Sequence, residues 1–236
     1  METKLKGTFY GVSVGPGAPE LLTYQAAALL RQCPVIASPV TASGQSLALE
    51  VVRRALGEEA LADKTLVPLR FVMSRDPEEL EHSHRLAADR VRPYLDAGQD
   101  VAMPNIGDVS IYSTFSYLQR LFQAEGCPTA MVPGVPSFCA AAARLNQPLT
   151  GGMDSPLTIA PASCAEDVLD APGTKVLMKS GKQLPALLKA LEQRGDLARS
   201  ALVCDCGLPG ETLYPDLAAQ CPAGNTGYFS TILVKE

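Results

Sequence analysis

A buried strand, a turn and a helix start follow one another in DVAMPNIGDVSIYSTF, residues 100–115. The apolar run begins at Val101, and the turn contains Gly107 and Asp108. The same order recurs in TAMVPGVPSFCAAAARL, residues 129–145. Two strand-to-helix turns only about 30 residues apart are typical of neighbouring loops at the carboxyl edge of a parallel sheet. We therefore expect a binding cleft at that edge.

The first of these loops has a distinctive set of side chains. Gly107 lets backbone approach a ligand closely, and Asp108 is the only carboxylate in the turn. Hydroxyl groups crowd the start of the following helix, at Ser110, Tyr112, Ser113 and Thr114. Such a loop suits a small polar zwitterion. The alternative is a helix N-cap, in which Asp or Ser satisfies backbone N–H groups whatever the protein does, and the loop alone favours this alternative.

The order of elements predicts an α/β protein of two domains. Strands and helices alternate through residues 8–145, which predicts a doubly wound, mostly parallel sheet of about five strands. The segment NQPLTGG, residues 146–152, breaks the pattern, so we place the domains at 1–146 and 147–236. Late strands with few helices between them predict a mixed second sheet. The cleft is expected between the two domains.

Two helices are predicted in some detail. Residues 20–31 form the first, after a Gly- and Pro-rich turn. Asp76, followed by Pro77 and two glutamates, is a strong start signal for a helix that runs to about Leu95.

Composition excludes several classes of protein. The 236 residues are 47% hydrophobic and 19% charged, which argues against disorder. The formal net charge is −5 and no run of Lys or Arg exceeds two, so a nucleic-acid partner is not expected. No apolar run reaches the roughly 18 residues of a membrane span, and METKLKG lacks the apolar core of a signal peptide. We expect a cytoplasmic protein without a membrane partner.

No bound metal is expected either. His82 and His84 diverge by about 200° around a helix, so they cannot hold one ion together and are assigned to a solvated face. The seven cysteines are an odd number without a Cys-x-x-Cys pair, which is typical of reduced thiols.

Common nucleotide-binding motifs fail on inspection. The loop GPGAP, residues 15–19, has Glu20 where a Rossmann fingerprint needs its third glycine. Gly181 and Lys182 are followed by Gln183 and lack the earlier glycine of a P-loop.

Five segments together resemble the tetrapyrrole methylases, which use S-adenosylmethionine (SAM). In chain order they are YGVSVGPGAPELLTYQA (10–26), NIGDVSIYSTF (105–115), VPGVPSFCAAAA (132–143), CGLPGE (206–211) and GYFSTILVK (227–235). The first and third are common to the family, whereas YSTF and YFSTILVK look most like the enzymes that methylate C20 of precorrin-2 or cobalt-factor II. One departure is Val109, where the family usually has proline after Gly-Asp.

The resemblance implies a function in cobalamin (corrin) biosynthesis, a branch of porphyrin-type metabolism. A meso carbon of a reduced tetrapyrrole would take the methyl group of SAM, the co-substrate, and then lose a proton. The family also implies a homodimer. Alternatives are a sibling methylase acting on another ring carbon, a modifier of RNA or of a diphthamide precursor, and a non-catalytic tetrapyrrole carrier.

The resemblance also implies site residues. SAM contacts carry over to Gly107, Asp108, Ile111, Tyr112, Ser113, Thr114, Ser137, Phe138, Met178 and Gly207. Gly15, Pro16 and Gly17 would form a wall of the tetrapyrrole trough. Cations for the substrate carboxylates would come from Arg70, Arg75, Arg144, Lys179 and Lys182. Asp108 is our candidate base, with Tyr228 orienting the ring or the charge.

Overall fold

The computed structural model describes residues 5–74, 76–222 and 226–236. By the packing of its backbone the chain divides into two compact units, Met1–Pro136 and Ser137–Glu236. The predicted α/β class, with a parallel first sheet and a mixed second sheet, is confirmed. The predicted domain boundary after residue 146 stays a prediction.

The first unit is built on a parallel sheet. Its described strands are β1 Phe9–Ser13, β2 Val35–Val40, β3 Thr65–Arg70, β4 Val101–Asn105 and β5 Thr129–Val132. They lie in the order β3-β2-β4-β1-β5, and each neighbouring pair is parallel. The helices are α1 Tyr24–Gln32, α2 Leu47–Leu56, α3 Pro77–Asp96 and α4 Phe115–Ala124.

Alternation along the strands gives this sheet two apolar faces. Phe9 of β1 lies in one core with the buried side chains of α3 and α4, and its ring stacks on Phe115 at 5.1 Å between centroids. Val12 lies in the opposite core with α1 and α2. Because successive side chains point to opposite faces, the sheet is covered by helices on both sides.

The topology creates a switch point between β1 and β4. The chain leaves β1 for α1 on one face and leaves β4 for α4 on the other, although β1 and β4 are neighbours in the sheet. In open α/β sheets a crevice forms where neighbouring strands send their connections to opposite faces. The loops after β1 and β4 therefore meet there. The two turns predicted to be neighbours follow β4 and β5, and β1 lies between these two strands in the sheet.

The first predicted helix is wrong at its start. Residues Pro19–Leu21 form a separate 3-10 turn, and α1 begins only at Tyr24. The reason is a cap: Leu22 is extended, and Oγ1 of Thr23 accepts the N–H of Ala26 at 3.1 Å.

The predicted start of α3 is confirmed. The carboxylate of Asp76 accepts the N–H of Glu78 at 2.9 Å, and Pro77 occupies the first turn.

The second unit carries the mixed sheet. Its described strands are β6 Leu157–Pro161, β7 Thr174–Met178, β8 Ser200–Cys204, β9 Thr212–Tyr214 and β10 Ser230–Val234, in the order β6-β7-β10-β8-β9. The helices are α5 Ser137–Arg144, α6 Ala165–Val168 and α7 Leu184–Arg194. Because β10 runs antiparallel to both β7 and β8, its first residues lie at the carboxyl ends of those strands.

Among the described residues, no helix combines the length and the apolar character that crossing a bilayer requires.

Candidate functional site

The loops after β1 and β4 pair directly at the switch point. The N–H of Gly107 donates to the carbonyl of Gly15 at 2.7 Å, and the N–H of Gly15 donates to the carbonyl of Gly107 at 3.3 Å. Their φ angles are +77° and +75°, which only glycine adopts at little cost. Both residues are buried. Gly107 thus allows the two loops to join, and its contact with SAM stays a prediction.

The carboxylate of Asp108 connects the loop after β4 with the loop after β5. Its Oδ1 accepts the backbone N–H of Ser110 at 2.9 Å and also the Ser110 hydroxyl. Its Oδ2 accepts the N–H of Gly134, in the loop after β5, at 2.8 Å. The hydroxyl of Ser13, at the end of β1, accepts the backbone N–H of Val109, the residue after Asp108, at 2.8 Å. The half-buried Asp108 carboxylate and the neighbouring Val109 N–H therefore tie the loop after β4 to the end of β1 and to the loop after β5.

These hydrogen bonds fix the charge of Asp108. Burial raises the pKa of this carboxyl, but hydrogen bonds from Ser110, Gly134 and Ser13 outweigh burial and bring the pKa below its ordinary value. The group is ionised at neutral pH and is a weak proton acceptor. Its assignment as the base stays a prediction.

Asp108 does not cap helix α4. That helix begins at Phe115, whose N–H donates to Oγ of Ser113 at 3.2 Å, while the side chain of Thr114 makes no capping hydrogen bond. The Ser113 hydroxyl in turn donates to Oδ1 of the buried Asn105 at 2.8 Å. Tyr112 has a φ of +49°, and its side chain is 45% exposed. Residues 111–114 thus form a partly exposed surface anchored at both ends.

The other predicted SAM contacts lie in the second unit, on one helix, one strand and one loop. Ser137 and Phe138 begin α5, and Phe138 is buried. Met178 is the last residue of β7 and is buried as well. Gly207 follows β8 with a φ of +75°. The assignment of these four residues to the cofactor stays a prediction.

A second carboxylate holds the Gly207 loop. Oε2 of Glu211 accepts the N–H of Gly207 at 2.7 Å, and Oε1 accepts Nε of Arg144 at 2.8 Å. The Arg144 guanidinium lowers the pKa of Glu211 most strongly, and burial opposes it. Arg144 was predicted to bind substrate, but its charge is already paired within its own unit.

Lys179 and Tyr228 come together at the carboxyl end of β7. Nζ of Lys179 lies over the Tyr228 ring, 5.3 Å from its centroid. Lys179 has a φ of +57°, and Tyr228 is 47% exposed. The antiparallel entry of β10 produces this contact, which sequence spacing alone does not indicate.

The remaining substrate candidates differ in exposure. Pro16 and Gly17 are buried behind Gly15, and Nη1 of Arg54 donates to the Gly17 carbonyl at 3.4 Å. Arg70 is exposed at the end of the edge strand β3, and Lys182 is also exposed. Arg75 lies outside the described residues.

Sequence reasoning missed Ser13 and Gly134. Ser13 is fully buried at the end of a strand that otherwise reads as apolar, and a hydroxyl in such a position is the signal that could have revealed it. Gly134 carries no side chain, and its partner Asp108 lies 26 residues earlier, so no local pattern indicates their contact.

The two histidines of α3 differ in exposure. His82 is exposed as predicted, whereas the half-buried His84 ring stacks on Tyr117 at 4.1 Å between centroids. Burial lowers the pKa of His84, and Arg120 adds to that effect. His84 therefore belongs to an aromatic contact between α3 and α4 rather than to a solvated face.

The cysteines are all unpaired. Burial raises the pKa of Cys33 and of Cys206 to about 11, so both thiols are protonated at neutral pH.

The family model and the individual relatives agree on one protein family. Residues 8–221 match the model of the Tetrapyrrole (Corrin/Porphyrin) Methylases. The Cobalt-precorrin-2 C(20)-methyltransferase of Salmonella typhimurium is 34% identical, over 98% of each chain. A Methanocaldococcus jannaschii relative that is named for the same activity is 35% identical, over 82% of this chain and 80% of its own.

A solved structure shares the fold. Uroporphyrin-III C-methyl transferase from Thermus thermophilus, complexed with S-adenyl homocysteine, superposes with a TM-score of 0.68 over 98% of each chain. The identity is 22%, so this likeness supports the architecture alone.

Proposed function

Because the chain belongs to the tetrapyrrole methylase family, we propose that it methylates C20 of precorrin-2 or cobalt-factor II with SAM as the methyl donor. The observation that carries this proposal is the end-to-end match, at 34% identity, with a relative named for C20 methylation. Both relatives described above are named for a cobalt-containing substrate, which favours the cobalt form.

The loops of the first unit fit SAM in charge and in shape. SAM carries a sulfonium and an ammonium cation, and the ionised, half-buried carboxylate of Asp108 provides a negative charge at the switch point. Residues 110–114 expose hydroxyl and backbone groups beside it, while the pairing of Gly15 and Gly107 holds the backbone behind them. When bound, SAM supplies the methyl group.

The role proposed for the chain is chiefly to bind and align. Rigid loops that hold the methyl donor against a carbon nucleophile lower the entropic part of the barrier. Asp108 remains the candidate acceptor for the proton that leaves C20, although its lowered pKa favours a second role, in which its charge holds the cofactor. Tyr228, beside Lys179, is proposed to orient the tetrapyrrole.

The test is methyl transfer from isotopically labelled SAM to each candidate substrate. We expect the tetrapyrrole to gain one methyl group, with the label at C20 by NMR. A label on another ring carbon would identify a sibling methylase. Pigment binding without consumption of SAM would identify a carrier.

We also propose a homodimer in the cytoplasm without a nucleic-acid partner. The family resemblance supports the dimer, and strands β3 and β5 end the first sheet, so pairing with a second chain could cover an edge. The net charge of −5 supports the absence of nucleic acid. Light scattering should give twice the 24.9 kDa chain mass; the mass of a single chain at working concentration would refute the dimer.

A further inference from the structure

Ser13 carries a fully buried hydroxyl at the switch point. Its oxygen accepts the backbone N–H of Val109 at 2.8 Å, and the hydroxyl also lowers the pKa of the neighbouring Asp108 carboxyl. The three residues lie on different sides of the switch point, since Ser13 ends β1 and the other two follow β4. The hydrogen bond from Val109 to Ser13 therefore joins the end of β1 to the turn after β4.

The partner of this hydroxyl occupies a special turn position. The N–H of Ile111 donates to the carbonyl of Asp108 at 3.2 Å, which makes Val109 the second residue of a turn. Proline is favoured there because its ring sets φ near −65°. Val109 leaves φ free and adds a buried N–H that needs an acceptor. Ser13 supplies that acceptor and restrains the turn that a proline would restrain covalently.

The third loop also closes on Ser13. A Cβ at Gly134 would lie 2.4 Å from Cβ of Ser13 and 3.2 Å from the carbonyl oxygen of Gly107. The loop after β5 is therefore in direct contact with the serine and with the loop after β4. Through these contacts the position of Ser13 is linked to all three loops.

We propose that Ser13 is a positioning residue, which with Val109 holds the Gly107–Asp108 turn in the geometry that binds SAM. This inference rests on the proposed function, because it concerns the same loops. Ser13 is fully buried and acts through the turn rather than by touching the cofactor.

A double-mutant cycle tests the proposal by calorimetric titration of SAM. Ser13→Ala leaves the Val109 N–H without its acceptor, and we expect SAM affinity to fall about tenfold. Val109→Pro removes that N–H and fixes φ, so adding Ser13→Ala in this background should change affinity by no more than about twofold. The same loss in both backgrounds, or no loss in either, overturns the proposal.

Ser83→Ala is the matched control. Ser83 is also buried in the first unit, and its hydroxyl accepts a loop N–H, that of Val72, at 3.1 Å. The Ser83→Ala substitution therefore removes a comparable hydrogen bond from a loop that lies away from the switch point. We expect stability to fall in both serine variants but SAM affinity to fall only in Ser13→Ala. An equal fall in affinity would show a general loss of structure and would refute positioning.

A second measurement remains decisive if the proline variants do not fold. NMR titration of the Asp108 carboxyl carbon should show a higher pKa in Ser13→Ala than in the wild type, and no change in Ser83→Ala. An unchanged Asp108 pKa with unchanged SAM affinity overturns the proposal. A wild-type protein that binds no SAM contradicts the proposed function itself, which distinguishes that failure from failure of the Ser13 proposal.

Discussion

Two carboxylates hold glycine-containing loops in this molecule, and they do so with different partners. Among the described residues, Asp108 in the first unit accepts hydrogen bonds from neutral donors alone, including the Gly134 N–H at 2.8 Å. Glu211 in the second unit accepts the Gly207 N–H at 2.7 Å and a charged guanidinium from Arg144. Both arrangements lower the pKa of the carboxyl group, but one does so with dipoles and the other mainly with a cation.

The two carboxylates differ in whether water can replace a lost hydrogen bond to them. Arg144 is 56% exposed at its side chain, so water can solvate it when Glu211 is removed. Ser13 and Val109 are buried beside Asp108, and their polar groups have no such alternative. We therefore expect a substitution of Asp108, with its neutral and buried partners, to cost more stability than a substitution of Glu211. The predictions below test that ranking.

The largest effect is expected from Asp108→Asn compared with Glu211→Gln. Both oxygens of Asp108 accept hydrogen bonds, so the amide nitrogen of asparagine must face a donor whichever way it is oriented. We expect Asp108→Asn to lower the free energy of unfolding by about 2 kcal/mol. Glu211→Gln should cost less. Urea denaturation of both variants measures the ranking, and a larger cost for Glu211→Gln would reverse it.

Gly134→Ala should have the next largest effect. Its added methyl group would lie 2.4 Å from Cβ of Ser13, so the loop after β5 must move away from Asp108. We expect a loss of about 1–2 kcal/mol in thermal denaturation. Gly152→Ala is the control, because nothing lies within 4 Å of a Cβ there. Equal stability of the two variants would show that the loop is not packed against Ser13.

Acid should remove the contribution of Asp108. The folded-state pKa lies below the unfolded value of about 3.9, so this carboxylate stabilises the protein above about pH 4 and ceases to do so as the pH falls through its folded pKa. The difference in unfolding free energy between wild type and Asp108→Asn should therefore shrink below about pH 4. A difference that grows on acidification would contradict the direction of the shift.

Salt should produce the smallest effect and the sharpest contrast. Added sodium chloride screens the partly exposed pair of Arg144 and Glu211, so the stability cost of Glu211→Gln should decrease at high ionic strength. The cost of Asp108→Asn should stay nearly constant, since its partners are uncharged. Parallel urea titrations at low and high salt compare the two. Equal salt sensitivity would remove the distinction between the carboxylates.

Most of the fold could be predicted from the sequence because it depends on local patterns. The apolar run at Val101 and the cap at Asp76 both mark their elements correctly. The start of α1 was misplaced because Thr23, a modest cap in a segment with helical periodicity, overrides that periodicity. Element boundaries depend on such single hydrogen bonds.

The site was less predictable because its contacts join distant segments. The sequence marked the Gly107–Asp108 turn, yet the partners of that turn are Ser13, at the end of β1, and Gly134, in the loop after β5. Arg144 illustrates the same limit, since its pairing with Glu211 spans 67 residues. The order of the strands in the sheet brings these residues together, and the spacing of residues along the chain does not indicate that order.

The central claim is that the switch-point loops of the first unit bind SAM, and hydrogen–deuterium exchange of the wild-type protein tests it most directly. With saturating SAM or S-adenosylhomocysteine, peptides covering residues 105–114 and 133–136 should exchange more slowly than in the free protein. Residues 57–64, a connection between α2 and β3 away from the switch point, should be unchanged. SAM binding without protection of residues 105–114 would contradict the account.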